Sequence, residues 1–316
     1  MPKPIVGLHH VTAIASDPQT NLDFYTEVLG LRFVKRTVNF DDPGTYHFYF
    51  GDDAGTPGTI LTFFPWAGAS RGTPGVGEVT LTAFSVPLSS IDFWEQRLSG
   101  YSLPVERSTR FAETVLTFPD PDGMRIEIVG HADAETPNPS RFAAIPAEHA
   151  LRGFYGVTLY LRAAEETTKI LNLMGFTKRT EEGTRQRFAA EGSALGNHID
   201  LLIHPEGNHG HMGAGTVHHI AFRVEDDADQ LEWRDTIGQH LDMTPVQDRT
   251  YFHSVYFREP GGVLFELATN PPGFDFDEPI ESLGEALRIP PWLEKHRDVI
   301  EKRLIPLELH KAKASA

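Results

Sequence analysis

Histidine and carboxylate side chains are the groups in this sequence whose types and spacing could support metal chemistry. The chain of 316 residues has fifteen histidines and no cysteine, so any bound metal ion must be held by imidazole and carboxylate groups. Two histidine pairs, His9–His10 and His218–His219, lie in short β-type runs, and Glu266 lies in an apolar run. Two histidines and one carboxylate on one face are typical of non-haem Fe(II) sites, which keep positions open for oxygen and substrate. His10, His219 and Glu266 are therefore the candidate metal ligands.

An internal repeat supplies the elements that must position these ligands. A short β-type run, a short amphipathic helix and a strand preceded by glycine recur four times, each over roughly fifty residues. In the first unit Asp17 and Pro18 are typical of a helix start and Gly30 of a helix end. Each unit is therefore predicted to form a β-α-β-β-β module. The modules open at His10, Glu78, Gly156 and His219 and close at Thr62, Glu127, Asp200 and Glu266.

The pairing of the modules decides whether the ligands meet. If modules one and four share a cavity, that cavity receives His10, His219 and Glu266. Modules two and three would then bring together only carboxylates, which make a poor iron site, and pairing module one with module two would separate the histidines. The sequence therefore favours pairing of the two outer modules with each other.

Glu266 supports a metal site because of what its burial costs. Its strand is predicted to be buried, and an unpaired carboxylate there would be expensive, so it needs a cation or hydrogen bonds. A divalent ion would satisfy it, and a salt bridge to an arginine is the alternative. Glu127 illustrates that alternative, because Arg125 lies two residues away on the same strand face and could neutralise it.

The remaining histidines fall into two groups. Strict alternation along a strand would send His9 and His218 to the face opposite their neighbours, although each would be a companion to a ligand. The segment from His198 to His211 is rich in histidine and glycine. A solvated flexible loop is favoured there over a second metal site.

Composition and charge exclude several classes of protein. The net charge is −16, which argues against nucleic acid or anionic lipid as the main partner, since both are bound through Lys and Arg patches. The absence of cysteine excludes disulfides and thiol catalysis. No apolar run is long enough to span a membrane, and residues 1–10 do not resemble a signal peptide. A cytoplasmic enzyme or binding protein is the expectation.

The predicted fold class is α+β, with four βαβββ modules forming two lobes and the metal site in a curled mixed sheet. Residues 1–136 are predicted to form an N-terminal lobe of two modules, residues 137–150 a linker, and residues 151–270 a C-terminal lobe of two modules. Residues 271–316 are a C-terminal extension, with a terminal helix expected over residues 292–304. This extension is predicted to be a packing or dimer element, so a homo-oligomer is also considered.

The sequence resembles the vicinal oxygen chelate superfamily, in which paired βαβββ modules surround a divalent metal, and within it the ring-cleaving dioxygenases that act on hydroquinones. The likeness covers almost the whole chain. Gly156 stands where catechol extradiol enzymes carry a ligand histidine, which favours the hydroquinone-type relatives. The segments that carry the resemblance are residues 8–12, 215–220, 248–251, 256–266 and 290–294.

The resemblance implies a function and a set of site residues. It implies Fe(II), with Mn(II) as an alternative ion, held by His10, His219 and Glu266, with O₂ as co-substrate and a small aromatic diol as substrate. On the hypothesis built from these positions, Arg249 and Tyr256 bind the remote hydroxyl, and His218 or His9 acts as acid or base. The alternative roles are a surface salt bridge for Arg249 and core packing for Tyr256. The residues implied around the substrate are His9, Thr12, His218, Arg249 and Tyr256.

Two other functions stay open at this stage. One is a redox-neutral isomerase or lyase on the same scaffold, whose site would often contain a second carboxylate, and Thr62 at that position speaks against it. The other is a protein that sequesters a ligand without chemistry, against which three convergent metal ligands speak.

Overall fold

The computed structural model describes residues 2–135 and 145–309. Its helices are α1 (Pro18–Asp23), α2 (Ile91–Gly100), α3 (Glu165–Leu173), α4 (Asp227–Gly238) and α5 (Arg297–Arg303). The strands of the first half are β1 (Leu8–Ala15), β2 (Arg32–Val38), β3 (Tyr46–Gly51), β4 (Ile60–Pro65), β5 (Glu78–Pro87), β6 (Glu106–Arg110), β7 (Glu113–Pro119) and β8 (Arg125–His131). Those of the second half are β9 (Phe154–Leu161), β10 (Thr177–Glu182), β11 (Arg185–Ala189), β12 (His198–Ile203), β13 (Val217–Val224), β14 (Gln247–Asp248), β15 (Phe252–Arg258) and β16 (Leu264–Pro272).

The strands form two curled mixed sheets of the same design. The first has the order β14-β15-β16-β13-β1-β4-β3-β2 and the second the order β10-β11-β12-β9-β5-β8-β7-β6. At the centre of each sheet two opening strands pair antiparallel, β1 with β13 and β5 with β9. The closing strand of each module returns parallel to its opening strand, as β4 does to β1 and β16 to β13. The α+β class and the four βαβββ modules are confirmed.

The outer modules share one sheet and the inner modules share the other, as the ligand argument required. Each sheet therefore combines one module from either side of the segment 137–150. The units of the fold are these two sheets rather than two consecutive stretches of chain, because each opening strand finds its antiparallel partner in the other half. Of the expected linker, residues 136–144 lie outside the described residues.

The first module shows how local sequence produces these elements. Asp17 caps α1 by accepting a hydrogen bond from the backbone of Thr20, with Pro18 at the first helical position. A π-helical turn over Phe24–Val28 follows, and Gly30 ends the segment with φ of 66°. This positive φ favours glycine, which carries no Cβ to clash. The predicted helix boundaries are thus correct, although its last turn is π-helical.

The module helices α2 and α4 each bury one face. In α2 the buried residues are Ile91, Trp94 and Leu98, the i, i+3, i+7 spacing of an amphipathic helix. In α4, Trp233 and Ile237 are buried. No helix in the described part of the chain has the length and apolar character needed to cross a bilayer.

The C-terminal extension packs against the first sheet through a buried ion pair. Lys35 of β2 is 0% exposed, and its Nζ lies 2.6 Å from both Asp277 Oδ1 and Glu278 Oε2. The same Nζ donates to the carbonyl of Phe274, 3.0 Å away. The extension is thus a packing element of its own sheet. The terminal helix is shorter than expected, since α5 covers only Arg297–Arg303, and residues 310–316 lie outside the described residues.

Candidate metal centre

The three predicted ligands converge on one point at the centre of the first sheet. His10 Nε2 lies 3.3 Å from His219 Nε2 and 3.3 Å from Glu266 Oε2, and His219 Nε2 lies 3.0 Å from the same oxygen. The three side chains are 2%, 5% and 0% exposed. Among the residues that the structure describes, they form the single group of three or more potential ligands close enough to share an ion.

This triangle fits a metal ion better than it fits a hydrogen-bonded cluster. Two ligand atoms that occupy adjacent coordination positions about 2.1 Å from an ion lie about 3 Å from each other. The three ligand atoms of His10, His219 and Glu266 have this spacing. Glu266 Oε2 is buried, and among the described residues no donor meets it with good hydrogen-bond geometry, although both imidazoles are close. This is a costly state for a carboxylate oxygen without a cation. Burial alone would raise the pKa of Glu266, but the neighbouring imidazoles of His10 and His219 hold this pKa well below its usual range. The other oxygen, Oε1, accepts a hydrogen bond from the Ser254 hydroxyl.

Strand register explains why residues so far apart in sequence meet. His10 and His219 lie on the central antiparallel pair, where Thr12 is the cross-strand partner of His219. Glu266 lies on the neighbouring strand, opposite Ala221. Residues two apart share one face of a strand, so all three ligands project from the same face of the sheet. The ligand positions were predictable because they recur in the repeat, but the convergence depends on this register.

The companion histidines contact the ligand rings. His9 Nδ1 lies 2.9 Å from His10 Nδ1, and His218 Nδ1 lies 2.7 Å from His219 Nδ1. Burial lowers the pKa of His9 well below its usual value and that of His218 to about 3. Both rings are therefore neutral near pH 7, and each can accept a hydrogen bond from a ligand Nδ1–H. Strict alternation does not hold at these two positions, because the β1–β13 pairing shifts register between Leu8 and His10 and again between Val217 and His219. Each companion histidine is the extra residue of such a shift, and its ring contacts that of the ligand beside it. Such contacts orient a ligand ring and leave its Nε2 free for the metal.

Arg249 and Tyr256, predicted to bind substrate, lie together beside the ligands. Arg249 Nε donates to Tyr256 Oη over 3.3 Å, and the guanidinium lies 5.6 Å from the centre of the tyrosine ring. Tyr256 is the cross-strand partner of Glu266, and its ring centre lies 5.6 Å from that of His219. Arg249 also lies 3.5 Å from Asp41 in the β2–β3 loop.

Sequence reasoning missed two polar residues of β3, His47 and Tyr49, which form a hydrogen-bonded group with Thr62 and Thr12. His47 Nε2 lies 2.8 Å from Thr62 Oγ1, Tyr49 Oη lies 2.9 Å from His47 Nδ1, and Thr62 Oγ1 lies 3.1 Å from Thr12 Oγ1. The available signal was the alternation of residues 46–50, YHFYF, which places His47 and Tyr49 on one face of β3.

The second sheet carries an ion-pair network where the first carries the metal ligands. Asp200 pairs with Thr158 as Glu266 pairs with Ala221, so Asp200 is the counterpart of Glu266. Arg187 Nε lies 2.8 Å and Arg185 Nη1 3.1 Å from the Asp200 carboxylate. This carboxylate therefore has arginine partners instead of imidazoles.

Two expectations for the second module need correction. Glu127 pairs with Arg110, at 2.5 Å, and not with Arg125, which is exposed at the start of β8. Glu127 is the cross-strand partner of Ala83, which makes Leu81, and not Glu78, the counterpart of His10. The error arose because β5 begins at Glu78, three residues before Leu81, the position equivalent to His10.

The histidine-rich segment from His198, the first residue of β12, to His211 contacts other parts of the chain at both ends. His198 stacks on Tyr155 with ring centres 4.3 Å apart, and the backbone of His211 exchanges hydrogen bonds with Thr73. In the described residues this segment brings no three potential ligands together.

The fold and site together define a protein of paired βαβββ modules with a candidate metal centre on one sheet, and comparison with known proteins agrees with the fold. A family described as the "Glyoxalase/Bleomycin resistance protein/Dioxygenase superfamily" matches residues 7–128 and 150–267. The chain is 49% identical over 311 residues to "Putative ring-cleaving dioxygenase MhqO" of Bacillus subtilis (strain 168), covering 98% of this chain and 99% of that protein. It is 34% identical over 307 residues to "Chlorohydroquinone/hydroquinone 1,2-dioxygenase" of Sphingobium indicum, covering 94% and 95%.

Solved structures show the same relationship. A crystal structure of a "putative dioxygenase" from Bacillus subtilis superposes with a TM-score of 0.94 at 47% identity, covering 98% of this chain and 99% of that one. Glyoxalase I from Zea mays shares the fold alone, with a TM-score of 0.63 at 12% identity, covering 89% and 97%. The chain belongs to the glyoxalase/bleomycin resistance protein/dioxygenase superfamily, and its similarities place it among the ring-cleaving dioxygenases of that superfamily.

Proposed function

We propose that this protein is an Fe(II)-dependent ring-cleaving dioxygenase that inserts both atoms of O₂ into an aromatic diol, with a substituted hydroquinone as substrate. The observation that carries the proposal is the triangle of His10, His219 and Glu266. A ligand set of two histidines and one carboxylate leaves several coordination positions open, as non-haem iron oxygenases require. The names of the relatives support the substrate class.

The residue at the fourth potential ligand position, Thr62, favours oxidative over redox-neutral chemistry. Thr62 closes the first module, where a second carboxylate would stand in a four-ligand site. Its hydroxyl hydrogen-bonds with His47 and Thr12, so it is engaged within the protein. The site therefore offers one negative charge, which leaves a divalent ion with a net positive charge that can bind a deprotonated phenol.

The roles of the protein side chains follow from their contacts. Bound Fe(II) would lower the pKa of a coordinated phenol and bring O₂ and the ring together. His9 and His218 hold the ligand imidazoles in orientation through their Nδ1 atoms. Arg249 and Tyr256 form a donor pair that binds the oxygen at the far end of the ring and stabilises negative charge there. That His9 or His218 also acts as an acid or base stays a prediction, and His218 is the more accessible of the two.

Oxygen uptake by the anaerobically purified protein tests this function. The protein is purified under anaerobic conditions, its iron and manganese are quantified, and O₂ consumption is recorded with hydroquinone, methylhydroquinone and catechol. We expect one O₂ consumed per ring opened and, with ¹⁸O₂, two labelled oxygen atoms in the product. Consumption with none of these diols, or product formed without O₂, would contradict the proposal.

A pair of histidine variants links the activity to the site. His219→Ala should lose bound iron and activity together, whereas His240→Ala, at an exposed position after α4, should keep both. A His219→Ala protein that retained its iron would refute the ligand assignment. Iron bound at the predicted site without ring cleavage would instead favour a redox-neutral or sequestering protein.

A further inference from the structure

A row of four hydrogen-bonding side chains crosses the inner face of the first sheet and ends beside the metal ligands. It runs from Tyr49 to His47 on β3, then to Thr62 on β4 and Thr12 on β1, with successive heavy-atom distances of 2.9, 2.8 and 3.1 Å. Tyr49 is 1% exposed and both threonines are 0% exposed. Buried polar groups need partners. In a continuous chain of hydrogen bonds across three strands, the donor at one end also decides which group donates and which accepts at every later step.

The phenol at one end sets that direction. Burial raises the pKa of Tyr49 well above its usual value, so its hydroxyl keeps its proton and must donate it. Its partner in the described structure is His47 Nδ1, which must therefore be an acceptor. Burial also lowers the pKa of His47, so the ring is neutral and carries its single proton on Nε2. Nε2–H then donates to Thr62 Oγ1, and the Thr62 hydroxyl donates to Thr12 Oγ1.

The other end of the row is a hydroxyl next to the metal centre. Because Thr12 Oγ1 accepts from Thr62, its own hydroxyl proton is directed elsewhere. Thr12 lies two residues after His10 on the same strand face and is the cross-strand partner of His219. The face that it shares with both ligands is the one on which the ion would sit.

We propose that His47 is a positioning residue that, through Thr62, directs the Thr12 hydroxyl as a hydrogen-bond donor toward an oxygen or anion held at the metal centre. The inference rests on the proposed metal-dependent function. It adds a chain of hydrogen bonds that determines the direction in which the Thr12 hydroxyl donates. His47 does not touch the reacting atoms. His47 donates to the Thr62 hydroxyl, which then donates its own proton to Thr12 Oγ1. The Thr12 hydroxyl proton is left to donate to a ligand at the metal centre.

The first experiment measures the tautomer of His47 in the metal-free protein, without any activity. The chain is labelled with ¹⁵N-histidine, and the His47 ring nitrogens are assigned by their loss in His47→Gln. We expect a protonated Nε2 and an unprotonated Nδ1, and a mixture of tautomers in Tyr49→Phe, which lacks the hydroxyl that pins the ring. A protonated Nδ1 in the wild-type protein would overturn the proposed direction.

The second experiment measures donation at the metal with azide as an anionic probe. The protein is loaded with Co(II), and azide is titrated under anaerobic conditions while the visible absorbance is followed. His47→Asn places an amide only near the former Nδ1, whereas His47→Gln can place one near the former Nε2 and keep the donor to Thr62. Azide affinity should fall about tenfold in His47→Asn and in Thr62→Val, and recover most of that loss in His47→Gln and Thr62→Ser.

The pattern of variants separates positioning from a purely structural role. If His47 only filled space, Asn and Gln would weaken azide binding equally, and that result would refute the proposal. In the double variant His47→Asn/Thr62→Val the losses should not add, because both act through Thr12. With Fe(II) and a diol, the same variants should lower kcat by about ten- to hundredfold with little change in KM. An enzyme without diol activity would refute the proposed reaction, while the tautomer and azide results would still decide the role of His47.

Discussion

Replacing Glu266 with glutamine should abolish the stabilisation of the fold by metal while leaving the metal-free fold intact. The carboxylate is 0% exposed, and its Oε2 faces His10 and His219 without a hydrogen bond of good geometry from any described residue. In the absence of metal, an uncharged amide of the same shape removes the cost of burying the charge. In its presence, the same change removes the only anionic ligand.

The size of the effect follows from binding linkage. Metal at about 1,000 times its dissociation constant stabilises the folded state by about 4 kcal/mol. A chain of 316 residues has an unfolding entropy of about 0.66 kcal/mol/K, at about 2.1 cal/mol/K per residue. The wild-type melting temperature should therefore rise by about 6 °C with metal, and that of Glu266→Gln by less than about 1 °C.

The assay is differential scanning calorimetry with and without Fe(II) under anaerobic conditions, after chelation, with bound metal measured in parallel. The matched control is Asp200→Asn, because Asp200 occupies the corresponding position of the second sheet and pairs with Arg185 and Arg187. That variant should melt at a lower temperature, since it leaves buried arginines short of a partner, yet keep the full increment from metal. A full increment in Glu266→Gln, or its loss in Asp200→Asn, would refute the assignment.

Three further predictions concern the extension, the second sheet and the substrate pocket. Lys35→Met leaves the buried Glu278 with only the more distant Arg288, whose Nε lies 3.7 Å from Oε1. It should lower the free energy of unfolding by about 3 kcal/mol in urea titrations, against almost no change for the exposed Lys302→Met; equal effects would contradict the buried pair. His198 has a pKa of about 4 when folded and about 6.5 when unfolded. The unfolded chain therefore binds more protons, and stability is lost as pH falls from about 6.5 to 4, by about 2 kcal/mol at about pH 5. His198→Phe, which keeps the ring stacking, should lose this part of the acid sensitivity, and an unchanged pH profile of urea unfolding would contradict it. Tyr256→Phe should lower kcat/KM for diols by about ten- to hundredfold while keeping the bound metal; loss of the metal as well would mean that the hydroxyl supports the ligands and not the substrate.

Much of the site was predictable because the repeat relates distant positions to one another. His10 and His219 occupy equivalent positions of two modules, and Glu266 closes the second of them. A single histidine in a strand carries little information, but two at equivalent positions of a repeated unit indicate a shared role. Apolar spacing also predicted the helices, since Ile91, Trp94 and Leu98 form the buried face of α2. These inferences need only local periodicity and the comparison of one module with another.

Contacts that depend on cross-strand register were not predictable in this way. Glu127 is neutralised by Arg110 of a neighbouring hairpin and not by Arg125 on its own strand. His47 lies in the metal-bearing sheet as a neighbour of Thr62, and nothing in its own segment indicates that partner.

Sequence alone therefore determined which residue types and repeat positions are available to bind a metal, because side-chain chemistry and the two-residue period of a strand are local properties. Tertiary structure decided which groups meet, because hydrogen bonds between strands join residues more than two hundred positions apart. His9 and His218 show the difference. Strict alternation would turn them from their neighbours, but the β1–β13 pairing shifts register at both positions, and each companion ring contacts a ligand.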